Sequence, residues 1–300
     1  MNEPVSMETV AKLYKGGHNV MAFFRELNGS QETNTLDAIM VSYDLQSGTY
    51  TRALETTSYA SFMERFSTAV AALMDGFAPG SILEAGVGEA STFANVMIRM
   101  KRRPVRCAGF DLSWSRVFYA AKYARKLNVQ AEFVVGNLTS IPSPDASFDV
   151  VYTSDAVEPN YGREVDILKE LYRVARRYVV LLEPSYELGS DETRSHIRDH
   201  GYCRNLRGFA EGLGYKIVEH RLFDHSFNEK SQTGLLVIEK DPPPSPGEQW
   251  MGCPICKRSL TPATGHLYCE QCRRIYPVLR GIPCLLAENG ILGSKYLEAD

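Results

Sequence analysis

The apolar positions of this chain follow two alternating patterns through its middle part. Short apolar runs of strand length recur there, and stretches with helical spacing separate them. This alternation predicts a parallel β-sheet whose strands are joined by crossover helices. The predicted strands are 81–85, 105–111, 131–135, 148–153, 178–183, 215–222 and 234–239. The predicted helices are 91–102, 115–127, 162–175 and 205–213.

The two ends of this alternating region complete the predicted domain. Its last two strands are separated only by the short polar segment 225–232, which predicts a hairpin and one antiparallel strand. Residues 1–75 look mainly helical, with an amphipathic stretch at 64–73. We therefore predict an α/β, Rossmann-like domain over 76–240 behind an N-terminal helical region.

A change in composition marks the C-terminal part of the chain. Asp-Pro-Pro-Pro-Ser-Pro-Gly begins at Asp241 and predicts a stiff linker over 241–249, because consecutive prolines favour an extended chain. A cysteine-paired module follows at 250–287, and we expect a tail at 288–300.

Charge and cysteine usage narrow the class of protein. The formal net charge of −3 over 300 residues gives no global attraction to nucleic acid or to anionic lipid. No apolar run approaches the roughly 18 residues of a membrane span, and the first residues do not resemble a signal peptide. Seven cysteines, four of them in pairs, favour a metal in a reducing compartment. We therefore predict a cytoplasmic protein without a membrane partner.

A glycine turn after the first strand is the first candidate site. Gly86 and Gly88 permit backbone angles closed to other residues and let a ligand approach the main chain. Ser91 stands where a dinucleotide fingerprint has its third glycine, and Glu89 places a negative charge where a pyrophosphate would sit. Both departures argue against NAD or FAD and favour a ligand without phosphate.

The ends of the next strands carry groups suited to a nucleoside. Asp111 is placed to accept hydrogen bonds from both ribose hydroxyls. Asn137 can bond the edge of an adenine, with Leu138 against the base. Ribose, adenine and a phosphate-free tail describe S-adenosyl-L-methionine. The alternative is a purely structural turn with Asp111 capping a helix. The full set of predicted cofactor contacts is Tyr43, Glu84, Gly86, Gly88, Asp111, Leu112, Asn137, Leu138 and Ser154.

Three motifs resemble those of the class I S-adenosylmethionine-dependent methyltransferases. They are Leu-Glu-Ala-Gly-Val-Gly from Leu83, Phe-Asp-Val-Val-Tyr from Phe148, and Leu-Tyr-Arg-Val from Leu171 followed by Leu-Glu-Pro-Ser. The resemblance extends from Ile82 through the final hairpin. It implies a seven-stranded sheet, this cofactor and methyl transfer. Asn137 departs from the aspartate found more often at its position.

The segment after the fourth strand is the predicted acceptor site. Asp155 and Glu158 would lie near the transferred methyl group, where a base or an anchor for the acceptor is needed. The alternative is that one of them caps the helix near Gly162. His200, with Tyr202 beside it, is a further candidate base because histidine titrates near neutral pH. A lone histidine can equally be a surface residue.

The polar and aromatic segment 42–50 is similar to the N-terminal lid of small-molecule methyltransferases, and we therefore expect residues 1–75 to form a helical lid. On this interpretation Tyr43 packs over the cofactor, and Gln46 or Tyr50 contacts the acceptor. The alternative is a tight turn between two helices with both tyrosines in the core.

Two Cys-x-x-Cys pairs, with twelve residues between them, predict one structural zinc ion. Four thiolates close a tetrahedral site and leave no open position for catalysis. The predicted ligands are Cys253, Cys256, Cys269 and Cys272. The alternative is four reduced cysteines without a metal.

The motif after the second cysteine pair resembles the small zinc-binding activator subunit of several methyltransferases. It reads Arg-Ile-Tyr-Pro-Val-Leu-Arg-Gly-Ile-Pro from Arg274. This zinc ribbon is locally basic, with Lys257, Arg258, Arg273, Arg274 and Arg280 against Glu270. The basic residues can guide RNA, or they can form a solvated face.

We predict a methyltransferase that acts on an oxygen or nitrogen of a small molecule of the sugar or natural-product type. An RNA base methyltransferase is the less favoured alternative, because the fourth strand ends in Ser154-Asp-Ala-Val instead of Asn/Asp-Pro-Pro-Tyr/Phe. The non-enzymatic alternative is a scaffold that keeps the cofactor fold.

Overall fold

The structure is a computed structural model that describes residues 5–30, 32–228, 230–241 and 249–298. The predicted proline linker lies almost entirely outside these residues, at 242–248. The first part of the chain is helical, as expected. Side chains of Ser6, Asn19 and Thr35 cap the first three helices by accepting hydrogen bonds from backbone N–H groups. The helices are α1 (Met7–Lys15), α2 (Val20–Leu27), α3 (Leu36–Leu45), α4 (Thr49–Ala53) and α5 (Thr57–Phe77).

All seven predicted strands and all four predicted helices of the central region are present within a few residues of their expected bounds. The strands are β1 (Ser81–Ala85), β2 (Arg106–Asp111), β3 (Glu132–Val135), β4 (Phe148–Ser154), β5 (Ala175–Pro184), β6 (Lys216–Leu222) and β7 (Thr233–Glu239). The helices are α6 (Ser91–Arg99), α7 (Trp114–Lys126), α8 (Glu164–Val174), α9 (Asp191–His200) and α10 (Leu206–Gly212).

The seven strands form one mixed sheet in the order β3-β2-β1-β4-β5-β7-β6. Strand β7 runs antiparallel to both of its neighbours, and the other strands pair in parallel. This confirms the predicted Rossmann-like fold with its C-terminal hairpin. The order reverses between β1 and β4, and ligands of open α/β sheets bind beside the carboxyl ends of such strands.

The central strands are buried on both faces, which explains their nearly continuous apolar sequence. Ile82 belongs to a core cluster with α5, α6 and α7 on one face. Leu83, its neighbour, belongs to a second cluster with α8 and α10. The glycine turn at the end of β1 therefore projects from the most rigid part of the sheet.

Helix α9 is an element that the apolar pattern did not predict. Ser190 caps it by accepting a hydrogen bond from the backbone N–H of Thr193. Ile197 is its one buried apolar side chain, so the helix has almost no apolar stripe to recognise. The helix lies in the segment expected to carry acceptor-binding residues.

The zinc ribbon folds against the second core cluster, to which Trp250, Tyr276 and Leu285 belong. Ile291 and Leu292, in the segment expected to be a tail, pair with the strand Arg274–Leu279 and extend the ribbon's sheet. The ribbon comprises β8 (Thr261–Ala263), β9 (His266–Cys269), β10 (Arg274–Leu279), β11 (Ile282–Pro283) and β12 (Ile291–Leu292), with 3-10 turns at Ala287–Asn289 and Tyr296–Glu298. Among the described residues, no helix has the length and apolarity needed to cross a bilayer.

Candidate active site

A cavity of about 400 Å³ lies beside the carboxyl ends of β1, β2, β3 and β4. The N-terminal helices α3 and α5 form its opposite wall. All the predicted cofactor contacts line this cavity: Tyr43, Glu84, Gly86, Gly88, Asp111, Leu112, Asn137, Leu138 and Ser154. The structure thus brings together side chains from segments far apart in the sequence.

Both glycines of the turn have a positive φ and lie close to neighbouring side chains. Gly86 has a φ of 77°, and a Cβ at this position would collide with Ala156 after β4. Gly88 has a φ of 55°, and a Cβ there would collide with the guanidinium of Arg116. Both glycines are therefore required by conformation and by space.

Asp111 is buried and joins this turn to the start of α7. Its Oδ2 accepts from the Gly88 N–H at 2.9 Å, and its Oδ1 accepts from the Ser113 N–H at 3.0 Å. The cap of α7 is Ser113, whose hydroxyl accepts from the Arg116 N–H at 3.1 Å. Asp111 is thus not the helix cap, and its oxygens face the cavity with remaining lone pairs.

Glu84 occupies the end of β1 below the turn. The Tyr152 hydroxyl donates to its Oε2 at 2.7 Å. Burial raises the pKa of Glu84 to about 8, and the hydrogen bond from Tyr152 opposes part of that rise. A cation entering the cavity would favour the ionised form of this carboxyl group.

Glu89 fastens the N-terminal region to the central domain. Its Oε1 accepts from the Gly48 N–H at 2.8 Å, and its Oε2 accepts from the Thr51 N–H and hydroxyl at 2.8 and 2.7 Å. The side chain is 1% exposed. The sequence analysis considered the charge of Glu89 only as unfavourable for pyrophosphate binding. In the structure Glu89 also holds the lid through these hydrogen bonds.

Arg116 is a site residue that the sequence analysis missed. Its guanidinium lies 4.8 Å from the ring centre of Tyr43 and 5.2 Å from that of Tyr50. Its Nε is buried without a hydrogen-bond partner among the described residues. It is also the one lysine or arginine in the described lining of the cavity. Tyr43 and Tyr50, which lie beside its guanidinium, come from a segment far away in the sequence. No local sequence pattern could therefore have identified Arg116.

Three carboxyl groups cluster after β4 and β5. Glu183 accepts from the backbone N–H groups of Ala156, Val157 and Glu158, each at 3.1 Å. Asp155, with a φ of 51°, is accessible from the cavity, while the protein around the cavity desolvates its carboxyl group. Neither Asp155 nor Glu158 caps α8, whose preceding Gly162 N–H donates to Glu164.

This crowding shifts the titration of the cluster. Burial, followed by the charge of Glu183, raises the pKa of Asp155 to about 7. Burial, followed by the charges of Asp155 and Glu183, raises the pKa of Glu158 well above its usual range. The nearby hydroxyl groups of Tyr43 and Tyr202 favour the ionised form of Glu158 and oppose that rise.

The histidine prediction needs a correction. His200 does not line the cavity, and its Nδ1 lies 2.9 Å from the carbonyl oxygen of His196 within α9. The helix turns His196 toward the cavity instead, and Tyr202 lines it as expected. Gln46 is also absent from the described lining, whereas Tyr50 is present.

The four paired cysteines meet at one point of the ribbon. The ligand atoms of Cys253, Cys256, Cys269 and Cys272 all lie within 4.8 Å of one another. The sulfur atoms of Cys256 and Cys269 are 3.5 Å apart, near the roughly 3.8 Å of two thiolates on a tetrahedral zinc ion. The donor set and its spacing thus fit zinc, with no position left for another ligand.

Comparison with known proteins supports the fold. Magnesium protoporphyrin IX methyltransferase from Synechocystis PCC 6803 is 16% identical, with a TM-score of 0.51 over 67% of this chain and 99% of that one. A methyltransferase from Aquifex aeolicus is 16% identical, with a TM-score of 0.40 over 53% and 81%. A Haloferax volcanii complex that includes a methyltransferase activator is 16% identical, with a TM-score of 0.43 over 56% and 83%.

A family model described as a methyltransferase domain matches residues 82–177. These residues run from the start of β1 into β5 and include the glycine turn, Asp111, Asn137 and Asp155. Over these residues the chain is therefore similar to methyltransferase domains, and its seven-stranded sheet has the fold of the Synechocystis methyltransferase structure.

Proposed function

We propose that the chain transfers a methyl group from S-adenosylmethionine to an oxygen or nitrogen atom of a small molecule. The observation that carries this proposal is the arrangement of one cavity. Glu84, Asp111 and Asn137 follow three neighbouring strands on one wall, and Asp155 and Glu158 follow a fourth. The first set suits the cofactor, and the second suits the acceptor.

The charges in the cavity suggest how each end of the cofactor is held. Asp111 would bind the ribose hydroxyls, and Asn137 with Leu138 would hold the adenine. Glu84 would face the α-ammonium group of the methionine end. Arg116 would bind the α-carboxylate, because a carboxylate in a cavity lined by acidic groups needs a cation.

The acceptor end needs a proton acceptor beside the methyl group. Bound S-adenosylmethionine would supply an electrophilic methyl group. Asp155 would take the proton that an acceptor hydroxyl or ammonium group must lose to attack the methyl group, since its pKa of about 7 suits a base near neutral pH. Glu158, near Tyr43 and Tyr202, would orient the acceptor through its polar atoms.

Two observations favour a small molecule over RNA. The cavity is covered by the lid, and the carboxyl groups of Glu84, Glu89, Asp111, Asp155 and Glu158 line it. Among the described lining residues, Arg116 is the one lysine or arginine available to a phosphate. The ribbon's basic residues are also partly engaged inside the protein: Arg274 donates to the Gly290 carbonyl, and Lys257 pairs with Glu170.

Methyl transfer can be tested with purified chain, labelled S-adenosylmethionine and panels of amines, hydroxylated metabolites and RNA. We expect label transfer to a small acceptor. Asp155→Asn should lower kcat by about 10²–10⁴-fold while cofactor affinity is retained, because a base acts on the chemical step. Asp224→Asn, at an exposed position, is the matched control. Transfer to RNA alone would replace the small-molecule proposal, and unchanged kcat in Asp155→Asn would remove Asp155 as the base.

A further inference from the structure

The loop after β3, residues 136–144, is called the β3 loop here. It begins with Gly136 and carries Asn137 and Leu138, the proposed contacts to the adenine. Its internal hydrogen bonds are short-range: the Asn137 Oδ1 accepts from the Thr139 N–H at 3.0 Å, and the Ser143 N–H donates to the Ile141 carbonyl at 2.8 Å. The position of the base contacts therefore depends on what holds the rest of this loop.

The zinc ribbon is hydrogen-bonded to the β3 loop at several points. The Gly252 N–H donates to the Pro142 carbonyl at 2.9 Å, and the Ser140 hydroxyl donates to the Pro254 carbonyl at 2.5 Å. The Leu285 N–H donates to the Val135 carbonyl at 2.9 Å, so the ribbon also covers the edge of β3. The first cysteine pair and the loop are thus joined directly.

Lys257 makes the densest of these connections. Its Nζ lies 3.0 Å from the Ser140 hydroxyl, 3.4 Å from the Ile141 carbonyl and 3.0 Å from the Glu170 Oε2. Glu170 in turn accepts from the Ile141 N–H at 2.8 Å. The side chains of Lys257 and Glu170 are 22% and 16% exposed, so solvent screens this pair less than a surface pair.

We propose that Lys257 is a positioning residue through which the ribbon sets the β3 loop for adenine binding. The proposal rests on the proposed cofactor. An unsupported loop would lose conformational freedom when the cofactor binds, and this entropic cost would weaken binding. Arg173 of α8 donates to the Ile141 and Ser143 carbonyls, and the ribbon completes this support of the loop. Because the loop is ordered beforehand, that cost does not reduce the cofactor affinity. On this account the ribbon acts on the cofactor site and does not bind the acceptor.

The test compares S-adenosylhomocysteine binding to zinc-loaded full-length variants by calorimetry. Lys257→Met should raise the Kd about tenfold, which corresponds to 1.4 kcal/mol. Lys257→Arg should restore most of the affinity. Residue 257 has a positive φ of 64°, which is equally unfavourable for Met and for Lys. We therefore expect Lys257→Met to retain the turn that carries Cys253 and Cys256. Arg258→Met is the matched control, since Arg258 is exposed and adjacent.

Hydrogen exchange at residues 136–144 supplies a readout that needs no ligand. We expect faster exchange there in Lys257→Met, with unchanged exchange in β1 and unchanged zinc content. Ser140→Ala, which alters the same contact from the loop side, should act in the same direction. Unaltered loop exchange in both variants would overturn the inference, as would a Kd within twofold of wild type. If wild-type protein does not bind S-adenosylhomocysteine, the proposed cofactor is overturned. Hydrogen exchange in the β3 loop would still test whether Lys257 positions that loop.

Discussion

At the scale of single residues, the cavity is defined by an excess of carboxyl groups over basic side chains. The carboxyl groups line the wall at the strand ends, and Arg116 is the one arginine or lysine in the described lining. Asp111 and Asn137 could be predicted because a residue's place at a strand end follows from its local pattern. Arg116 could not, because its environment is made by Tyr43 and Tyr50 from the lid.

Arg116 should increase the affinity for ligands that carry the amino-acid end of the cofactor, and should not affect the affinity for ligands that lack it. Arg116→Met should weaken S-adenosylhomocysteine binding by about tenfold or more, because a charge-assisted hydrogen bond contributes about 1.5–3 kcal/mol. Methylthioadenosine lacks the carboxylate and should bind almost equally to both proteins. Calorimetry with the two ligands measures the difference, with the exposed Arg125→Met on the same helix as control. Equal losses for both ligands would indicate that Arg116 only supports the lid.

Asp155 should make stability depend on pH. Its pKa is about 7 in the folded chain and about 3.9 when unfolded. Between these values the folded state binds more protons, so the free energy of unfolding should fall as pH rises from about 4 to 7. Asp155→Asn removes this ionisation. The free energy of unfolding of the variant minus that of wild type should therefore be more positive at pH 8 than at pH 5. Denaturant unfolding at both pH values tests this, and an equal difference at each would contradict the shifted pKa.

At the scale of elements, prediction succeeded where packing follows a regular period. Most of the strands were recognisable because they are short apolar runs, whereas the edge strand β6 carries mainly polar residues that are exposed or half-buried. Helix α9 was missed because it buries little apolar surface. The same helix explains the error at His200, since the helical register, unknown from the sequence, directs His196 toward the cavity.

The lid should depend on Glu89. Glu89→Gln replaces a charged acceptor of the Gly48, Tyr50 and Thr51 N–H groups with a weaker one. We expect faster hydrogen exchange and protease cleavage at residues 48–53, with a smaller change in the sheet. Glu55→Gln, at an exposed lid position, is the control. Protection equal to wild type in Glu89→Gln would show that other contacts hold the lid.

At the scale of the whole molecule, the ribbon and the central domain share one core. Trp250 packs edge-to-face on Phe148, and its indole N–H donates to Glu132 at 2.7 Å. The cysteine spacing was sufficient to predict the metal ligands, but not where the ribbon docks. That location depends on long-range contacts with β3 and the β3 loop, for which the sequence carries no periodic pattern.

Zinc removal should therefore affect more than the ribbon. Cys253→Ser should release the ion and unfold the module, because metal binding supplies much of the folding energy of such a small unit. Loss of the ribbon would also uncover the edge of β3. We expect lower thermal stability of the whole chain and faster exchange in β3, measured with zinc content. A metal-free variant with wild-type melting and exchange would contradict this account.

Calorimetric titration of S-adenosylmethionine into the purified chain, beside NADH and FAD, tests the central claim most directly. The account predicts micromolar binding of S-adenosylmethionine, none of the dinucleotides, and a loss of about 1–3 kcal/mol of binding free energy in Asp111→Ala. Absence of S-adenosylmethionine binding, or equal binding by Asp111→Ala, would contradict it.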